Sequence, residues 1–223
     1  MKKIRILSIS VIVTLLFLSC EKQTSEDAIP ENVIVPSGKI DLWNGTDFSG
    51  WVRFVPDSQA DVDTVWRVVD SVIHCTGVPN GYIRTEKEYA NYKLSLEWRW
   101  TGEPGNSGVL LHMSLPDKVW PRSIEAQLKT QNAGDIWLFE DTEVAEHVNK
   151  ESKLVAKQSD VSENPAGEWN KYEIYCKDKN ITMYVNGVLQ NKATKASEYY
   201  GKICFQSEGK PIQFRNIVIE PVE

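Results

Sequence analysis

The sequence predicts an all-β fold, a jelly-roll sandwich of two antiparallel sheets. Three observations lead there. Short apolar runs with two-residue alternation recur from residue 63 to residue 220, the period of strands with one buried face. Turn-forming clusters separate these runs: Asp70-Ser71, Glu103-Pro104-Gly105-Asn106, Lys177-Asp178-Lys179-Asn180 and Asn186-Gly187. No segment shows a long helical period, a heptad pattern or an internal repeat. Many short strands broken by turn signals are the pattern of sandwiches and jelly rolls.

The elements follow in order. Asp63 to Ile73 reads as two apolar pieces folded about Asp70-Ser71. Tyr92 to Trp100 alternates cleanly, with Leu94, Leu96, Trp98 and Trp100 on one face and Ser95, Glu97 and Arg99 on the other. Strands are expected around 108–113, 122–130 and 135–139. Residues 140–168 are charged and irregular, with strand character near Leu154-Val155-Ala156. Lys171–Cys176 and Ile181–Val185 form a hairpin, and Asn186-Gly187 is a strong signal for a second tight turn. Gly201–Gln206 and Ile212–Glu220 close the chain.

Residues 1–19 read as a secretory signal: a basic start (Lys2, Lys3, Arg5), an apolar run to Leu18, then Ser19. Cys20 after this small residue matches a bacterial lipobox, with Phe17 where Leu is commoner. Lipidation of Cys20 would anchor the protein in the cell envelope, on the periplasmic side or the outer-membrane surface. The alternatives are an ordinary cleaved signal or a short membrane anchor; the run is short of the ~20 residues a span needs. Residues 20–37 are polar, Pro-bearing and aperiodic, and read as the lipidated Cys and its tether. Residues 38–223 suit a single domain.

Without Lys2, Lys3 and Arg5, the 25 basic residues fall to 22 against 31 acidic ones, a mature charge of −9. An acidic chain without a basic run is a poor partner for nucleic acid and for anionic polysaccharide. After Cys20 come Cys75, Cys176 and Cys204, with no CxxC or His/Cys spacing for zinc. They read as buried thiols; one internal bridge is the alternative.

The stretch from Asn106 to Asp135 places polar groups on strands. By alternation His112 shares a face with Leu110, and Ser123, Glu125 and Gln127 share one opposite Ile124, Ala126 and Leu128. Between them lies the loop Pro116-Asp117-Lys118-Val119-Trp120-Pro121. Trp120 there can stack on the apolar face of a sugar ring, or simply anchor the loop.

These motifs resemble the 3-keto-disaccharide hydrolase domain family, concanavalin-like jelly-roll lipoproteins of Bacteroidetes. The resemblance covers about Ile40 to Pro221. It rests on Leu42-Trp43-Asn44-Gly45, Phe48-Ser49-Gly50-Trp51, Trp66-Arg67-Val68 with Val72-Ile73, and Leu96-Glu97-Trp98-Arg99. Asn106-Ser107-Gly108-Val109, Ser123-Ile124-Glu125-Ala126-Gln127, Asn164-Pro165-Ala166-Gly167-Glu168-Trp169-Asn170, Val185-Asn186-Gly187, Gln206-Ser207-Glu208-Gly209 and Phe214-Arg215-Asn216-Ile217 follow in order. Some members carry His near Glu208, so the role of that His does not transfer here. The resemblance implies an oligosaccharide or glycoside whose C3 hydroxyl has already become a ketone.

A C3 ketone acidifies the C2–H. Its removal gives an enolate that expels the C1 substituent, and later addition of water gives net hydrolysis. This needs a base near C2, donors at the C3 oxygen and an acid at the leaving oxygen. Glu125 is the expected base, its pKa raised by burial; the alternative is a structural carboxylate paired with Arg99 or Arg122. His112 is the expected acid, base or metal ligand; the alternative is a hydrogen-bonded structural residue. Arg99 is expected to hold the enolate, with Glu97 orienting it or serving as alternative base; a surface salt bridge is the plainer reading. Gln127, Trp120, Gln206, Arg215, Asn106 and Glu208 are the expected substrate-binding residues. No cofactor is expected and no metal motif is present, though Asp117 or Asp135 could serve a structural calcium. Two other functions fit the same sequence. One is a non-catalytic, lectin-like carbohydrate-binding module. The other is a retaining glycosidase, disfavoured because no strand carries an ExDxxE-like acidic run.

Overall fold

The structure is a computed structural model that describes residues 28–56 and 60–223. Residues 1–19, Cys20 and the tether up to residue 27 lie outside the described residues. The end of the expected tether packs on the domain. Val33 is buried, Ile34 N–H donates to Glu88 O at 2.9 Å, and Ala90 N–H donates to Ile34 O at 3.0 Å. Ordered packing therefore begins ahead of residue 38.

The elements are β1 (Ile40–Asp41), β2 (Trp51–Phe54), α1 (Val62–Val65), β3 (Trp66–Val69), β4 (Val72–Cys75), β5 (Gly81–Thr85), β6 (Tyr89–Ala90) and β7 (Tyr92–Trp100). Then come β8 (Gly108–Met113), β9 (Ile124–Gln127), β10 (Ile136–Leu138), β11 (Leu154–Val155), β12 (Asn170–Lys177), β13 (Asn180–Val185), β14 (Val188–Ala193), β15 (Tyr200–Ser207) and β16 (Ile212–Pro221). One sheet runs β14-β13-β12-β7-β16-β4-β3, with β1 along β16. The other runs β11-β10-β9-β8-β15-β5-β2, with β6 along β15. The fold is the expected antiparallel jelly-roll sandwich.

Alternation builds the core. In β7, Tyr92, Leu94, Leu96, Trp98 and Trp100 are buried, while Lys93, Ser95, Glu97 and Arg99 alternate with them on a half-exposed face. Phe205 of β15 and Phe214 of β16 stack at 4.9 Å and join the two sheets. Large side chains such as these each stabilise the fold by about 1.5–3 kcal/mol on burial. Asp70 and Ser71 take φ of 50° and 62°, and Asn186 and Gly187 take 50° and 80°. Positive φ at both central residues matches the twist of the flanking strands, so both turns close hairpins as expected.

One element departs from expectation. Asp63 begins no strand; it lies in the single-turn α1, whose N-cap Asp61 accepts from Asp63 N–H at 2.9 Å. This local cap outcompetes the strand pattern until Trp66. Cys75, Cys176 and Cys204 are buried free thiols rather than a bridge. Burial pushes the Cys75 thiol up to about 11 and that of Cys176 to about 12.

The β8–β9–β15 part of the second sheet is buried on both faces. Val109, Leu111, Ile124 and Ala126 face the core. On the other face Tyr82, Leu110, Met113 and Cys204 form a second small apolar cluster, with Phe54 and Phe139 against it. The loop after β8 folds over this face and is fastened by Asp117. That carboxylate accepts from Tyr82 Oη at 2.8 Å and from Arg84 Nε and Nη2 at 2.7 and 2.8 Å.

Candidate functional site

β9 is central to the site. Its core face carries Ile124 and Ala126, so alternation turns Glu125 and Gln127 to the face away from the other sheet. Register sets Glu125 between Leu110 of β8 and Trp137 of β10. Here a cavity of about 380 Å³ opens, within the size range of small-ligand sites.

One end of the cavity is polar. Glu125 is 2 % exposed, and Gln206, on β15, is 1 % exposed. A Cβ added at Gly108 would overlap both Glu125 Oε1 and Gln206 Oε1. The bare Cα of Gly108 is what lets these two side chains stand together. Asn106 and Glu208 complete this end, brought side by side by a β-bridge between them. Among the described residues, Glu125 Oε1, both side-chain polar atoms of Gln206, and Asn106 Oδ1 are buried without a hydrogen-bond partner. Burial of such atoms is costly, and four of them clustered at a cavity mark a place built for a polar ligand.

Electrostatics reinforce this. Burial first, and the neighbouring Glu208 carboxylate second, push the Glu125 carboxyl well above the usual range. Burial also raises Glu208, against the opposing effects of an Asn106 hydrogen bond and the Lys129 charge. Asp135 is raised by burial, although its Oδ1 accepts from Lys157 N–H at 2.7 Å.

The other end is apolar and aromatic: Trp120, Trp137, Phe139 and Leu154. Trp120 is 39 % exposed and stacks on Phe139 at 5.7 Å with only 8° between the rings. Lys129 and Asn132 stand on the remaining rim.

The expected site residues divide into three groups. Glu125, Gln127, Trp120, Asn106 and Glu208 line the cavity, with Gln206 against Glu125. Gln127 is committed elsewhere, since its Oε1 accepts from Leu128 and Lys129 N–H at 3.0 and 2.9 Å. It shapes the strand end.

His112 is a correction. An extra residue in β8 shifts the register against β15 between Lys202 and Cys204, and His112 takes φ of 55°. Such a bulge breaks the alternation that put His112 beside Leu110. Its ring lies 5.9 Å edge-on to Tyr92, a core residue of the facing sheet, and Nδ1 bonds to Glu198 O at 3.0 Å. Burial lowers its pKa to about 4, so it stays neutral.

Arg99, Glu97 and Arg215 are a second correction. They lie on the outward face of β7 and β16, in the other sheet. Arg215 Nε donates to Glu97 Oε2 at 2.6 Å, Arg99 Nε donates to Gln213 Oε1 at 2.7 Å, and both guanidiniums lie over the Trp169 ring, at 3.9 and 4.5 Å. Period-two alternation fixes only that such residues share a face; it does not say which sheet. Nor does Arg99 or Arg122 pair with Glu125, because Arg122 is held by Asp141 and Glu198.

The calcium expectation finds no support at Asp117, whose oxygens are taken by Arg84 and Tyr82. Among the described residues no group of three or more His, Cys, Asp or Glu side chains is placed to hold a metal. Sequence reasoning missed Trp137 and Phe139. Their signal was present: Asp135, Trp137 and Phe139 alternate with the core residues Ile136 and Leu138.

A jelly roll with an acidic, aromatic-walled cavity on one sheet is an architecture suited to carbohydrate. The chain belongs to the 3-keto-alpha-glucoside-1,2-lyase-like domain family, whose model matches residues 38–220. No curated protein matches it. Among solved structures, it is similar to a candidate glycosyl hydrolase from Parabacteroides distasonis ATCC 8503, with 25% identity and a TM-score of 0.62 over 83% of this chain and 94% of that one. A carbohydrate binding module from Bacillus subtilis (8% identity, TM-score 0.57, 77% and 95% covered) and a Bacillus licheniformis beta-glucanase (14%, 0.56, 83% and 99%) share the fold. Family and fold together support a carbohydrate-active function.

Proposed function

We propose that this protein cleaves 3-keto-glycosides by removing the C2 proton and eliminating the C1 substituent, with water then adding at C1. The observation that carries this reading is Glu125: a carboxyl on a rigid strand, at the polar end of a cavity, without a partner for Oε1 and with a raised pKa. A carboxyl so placed is suited to proton transfer near neutral pH. The buried Gln206 amide beside it offers a donor to the oxyanion that forms at C3, where a fixed dipole is most effective. Asn106 Oδ1 is left to accept from a sugar hydroxyl, and the Trp120–Phe139 stack offers a flat apolar wall for a ring. Cleavage by this route avoids an oxocarbenium ion, so no nucleophile at fixed carboxylate spacing is required.

The test is release of the C1 substituent from a 3-keto-glucoside by the purified protein. With a poor leaving group such as methanol, release that Glu125→Gln reduces at least a hundredfold, with binding retained, is the expected result. A folded protein that releases nothing from any 3-keto-glycoside defeats the reading. The exposed Trp120 platform favours a second reading, a carbohydrate-binding module without turnover; it is met if sugars bind equally to wild type and Glu125→Gln and nothing is cleaved. Attachment to the cell envelope through Cys20 is proposed alongside, and loss of radiolabelled palmitate incorporation in Cys20→Ala tests it.

A further inference from the structure

Among the described residues, three carboxyls line the cavity: Asp135, whose Oδ1 accepts from Lys157 N–H at 2.7 Å, and the pair at the polar end, Glu125 and Glu208, whose surroundings are unequal. Glu125 is buried in the sheet, its Oε1 has no donor, and Gln206 Oε1, another acceptor, crowds the same space beside Gly108. An ionised carboxylate there would be uncompensated, whereas the neutral acid avoids that cost and offers a donor. Glu208 is only half-buried. It accepts a hydrogen bond from Asn106 and feels the positive charge of Lys129, both of which favour its anion.

From this asymmetry, and resting on the cleavage chemistry proposed above, we infer that Glu208 is the base that takes the C2 proton and Glu125 is the acid that protonates the leaving oxygen. This reverses the sequence expectation for Glu125. Both carboxyls are raised, Glu125 the more strongly, and two groups held apart in this way divide into acid and base.

The steps balance. The Glu208 carboxylate takes H from C2, and the C–H electron pair forms C2=C3 while the C3 carbonyl becomes an oxyanion. The oxyanion re-forms C3=O, the electron pair moves to C1=C2, and the C1–O bond breaks. The leaving oxygen takes the Glu125 proton. The Glu125 carboxylate then accepts a proton from water as its oxygen bonds to C1, and Glu208 returns its proton to C2. Both carboxyls end as they began, and the net reaction is hydrolysis.

The experiment follows hydrogen exchange at C2 of a 3-keto-glucoside in D2O together with release of two leaving groups, p-nitrophenol and methanol. Glu208→Gln is expected to lose both exchange and release by at least a hundredfold. Glu125→Gln is expected to keep exchange within about threefold and release p-nitrophenol, which needs no acid, while losing methanol release by at least a hundredfold. In Glu208→Ala, added formate is expected to restore part of the exchange, which a structural role would not allow. Exchange lost in Glu125→Gln but kept in Glu208→Gln overturns the assignment and makes Glu125 the base. Exchange kept in both variants, with each folded by circular dichroism, also overturns it. If the wild type itself neither exchanges nor releases, the cleavage reading fails, and this outcome is distinct from either reversal.

Discussion

Glu125 and His112 lie on opposite sides of one sheet. Glu125 opens into the cavity, while the His112 ring packs between the sheets against Tyr92. One bulged residue in β8 produces this separation. An acid–base pair between them is therefore excluded, and the carboxyl that shares the polar end of the cavity with Glu125 is Glu208.

His112 gives a stability prediction. Its folded pKa, about 4, lies below the unbound value of 6.5. The unfolded chain takes up the proton first as pH falls, so the contribution of His112 is complete above pH 6.5 and is lost as pH drops toward 4. The loss amounts to about 3 kcal/mol at the acid end. Denaturant unfolding of His112→Gln beside wild type between pH 7 and 4 is expected to show a shallower decline for the variant. Equal slopes would show that His112 titrates normally.

Glu125 gives the opposite sign. Its folded pKa lies above the reference 4.5, so its contribution is complete below that pH and is lost as pH rises toward the folded value. Glu125→Gln is expected to raise the melting temperature at pH 8, with little change at pH 4. A melting temperature that falls at pH 8 would mean the carboxylate is well supported.

Gly108→Ala tests the cavity geometry directly. Its methyl would overlap Glu125 and Gln206 oxygens, forcing both aside. Activity is expected to fall on the order of a hundredfold from misplacement alone, for about 1–3 kcal/mol of stability. Wild-type rates in a folded Gly108→Ala protein would place the reacting atoms elsewhere.

Trp120→Ala is expected to raise KM about tenfold, with kcat nearly unchanged, since an aromatic wall binds ground state and transition state alike. Isothermal titration with a product sugar provides the check. An unaltered affinity would reduce Trp120 to a loop anchor.

Arg99→Ala and Arg215→Ala are expected to leave kcat/KM within about twofold. Each should cost about 1 kcal/mol of stability through the lost stacking on Trp169. Steady-state kinetics on both variants decide this, and a large drop in rate would bring the opposite face back into the chemistry.

The sandwich was legible because it follows from local rules. The alternation in Tyr92–Trp100 and the positive-φ turn at Asn186-Gly187 state their geometry in the residues themselves. Half of the site was legible for the same reason: Glu125 and Gln127 share a face because period two requires it. What alternation could not supply was sheet membership, hence the misplacement of Glu97, Arg99 and Arg215. It also could not foresee a bulge, because an extra residue in a pair is defined by the partner strand. Trp137 became visible as a site residue only once β10 was set beside β9 at Glu125.

The clasp of Tyr82 and Arg84 on Asp117 has a consequence for how ligand is received. A bidentate guanidinium grip holds the rim loop shut on the sheet before any guest arrives, and Trp120 rides on that loop. Recognition at this wall then consumes little ordering entropy. Cutting the clasp should surface as slower capture and weaker residence by a floppier doorway, with the reacting carboxyls themselves undisturbed.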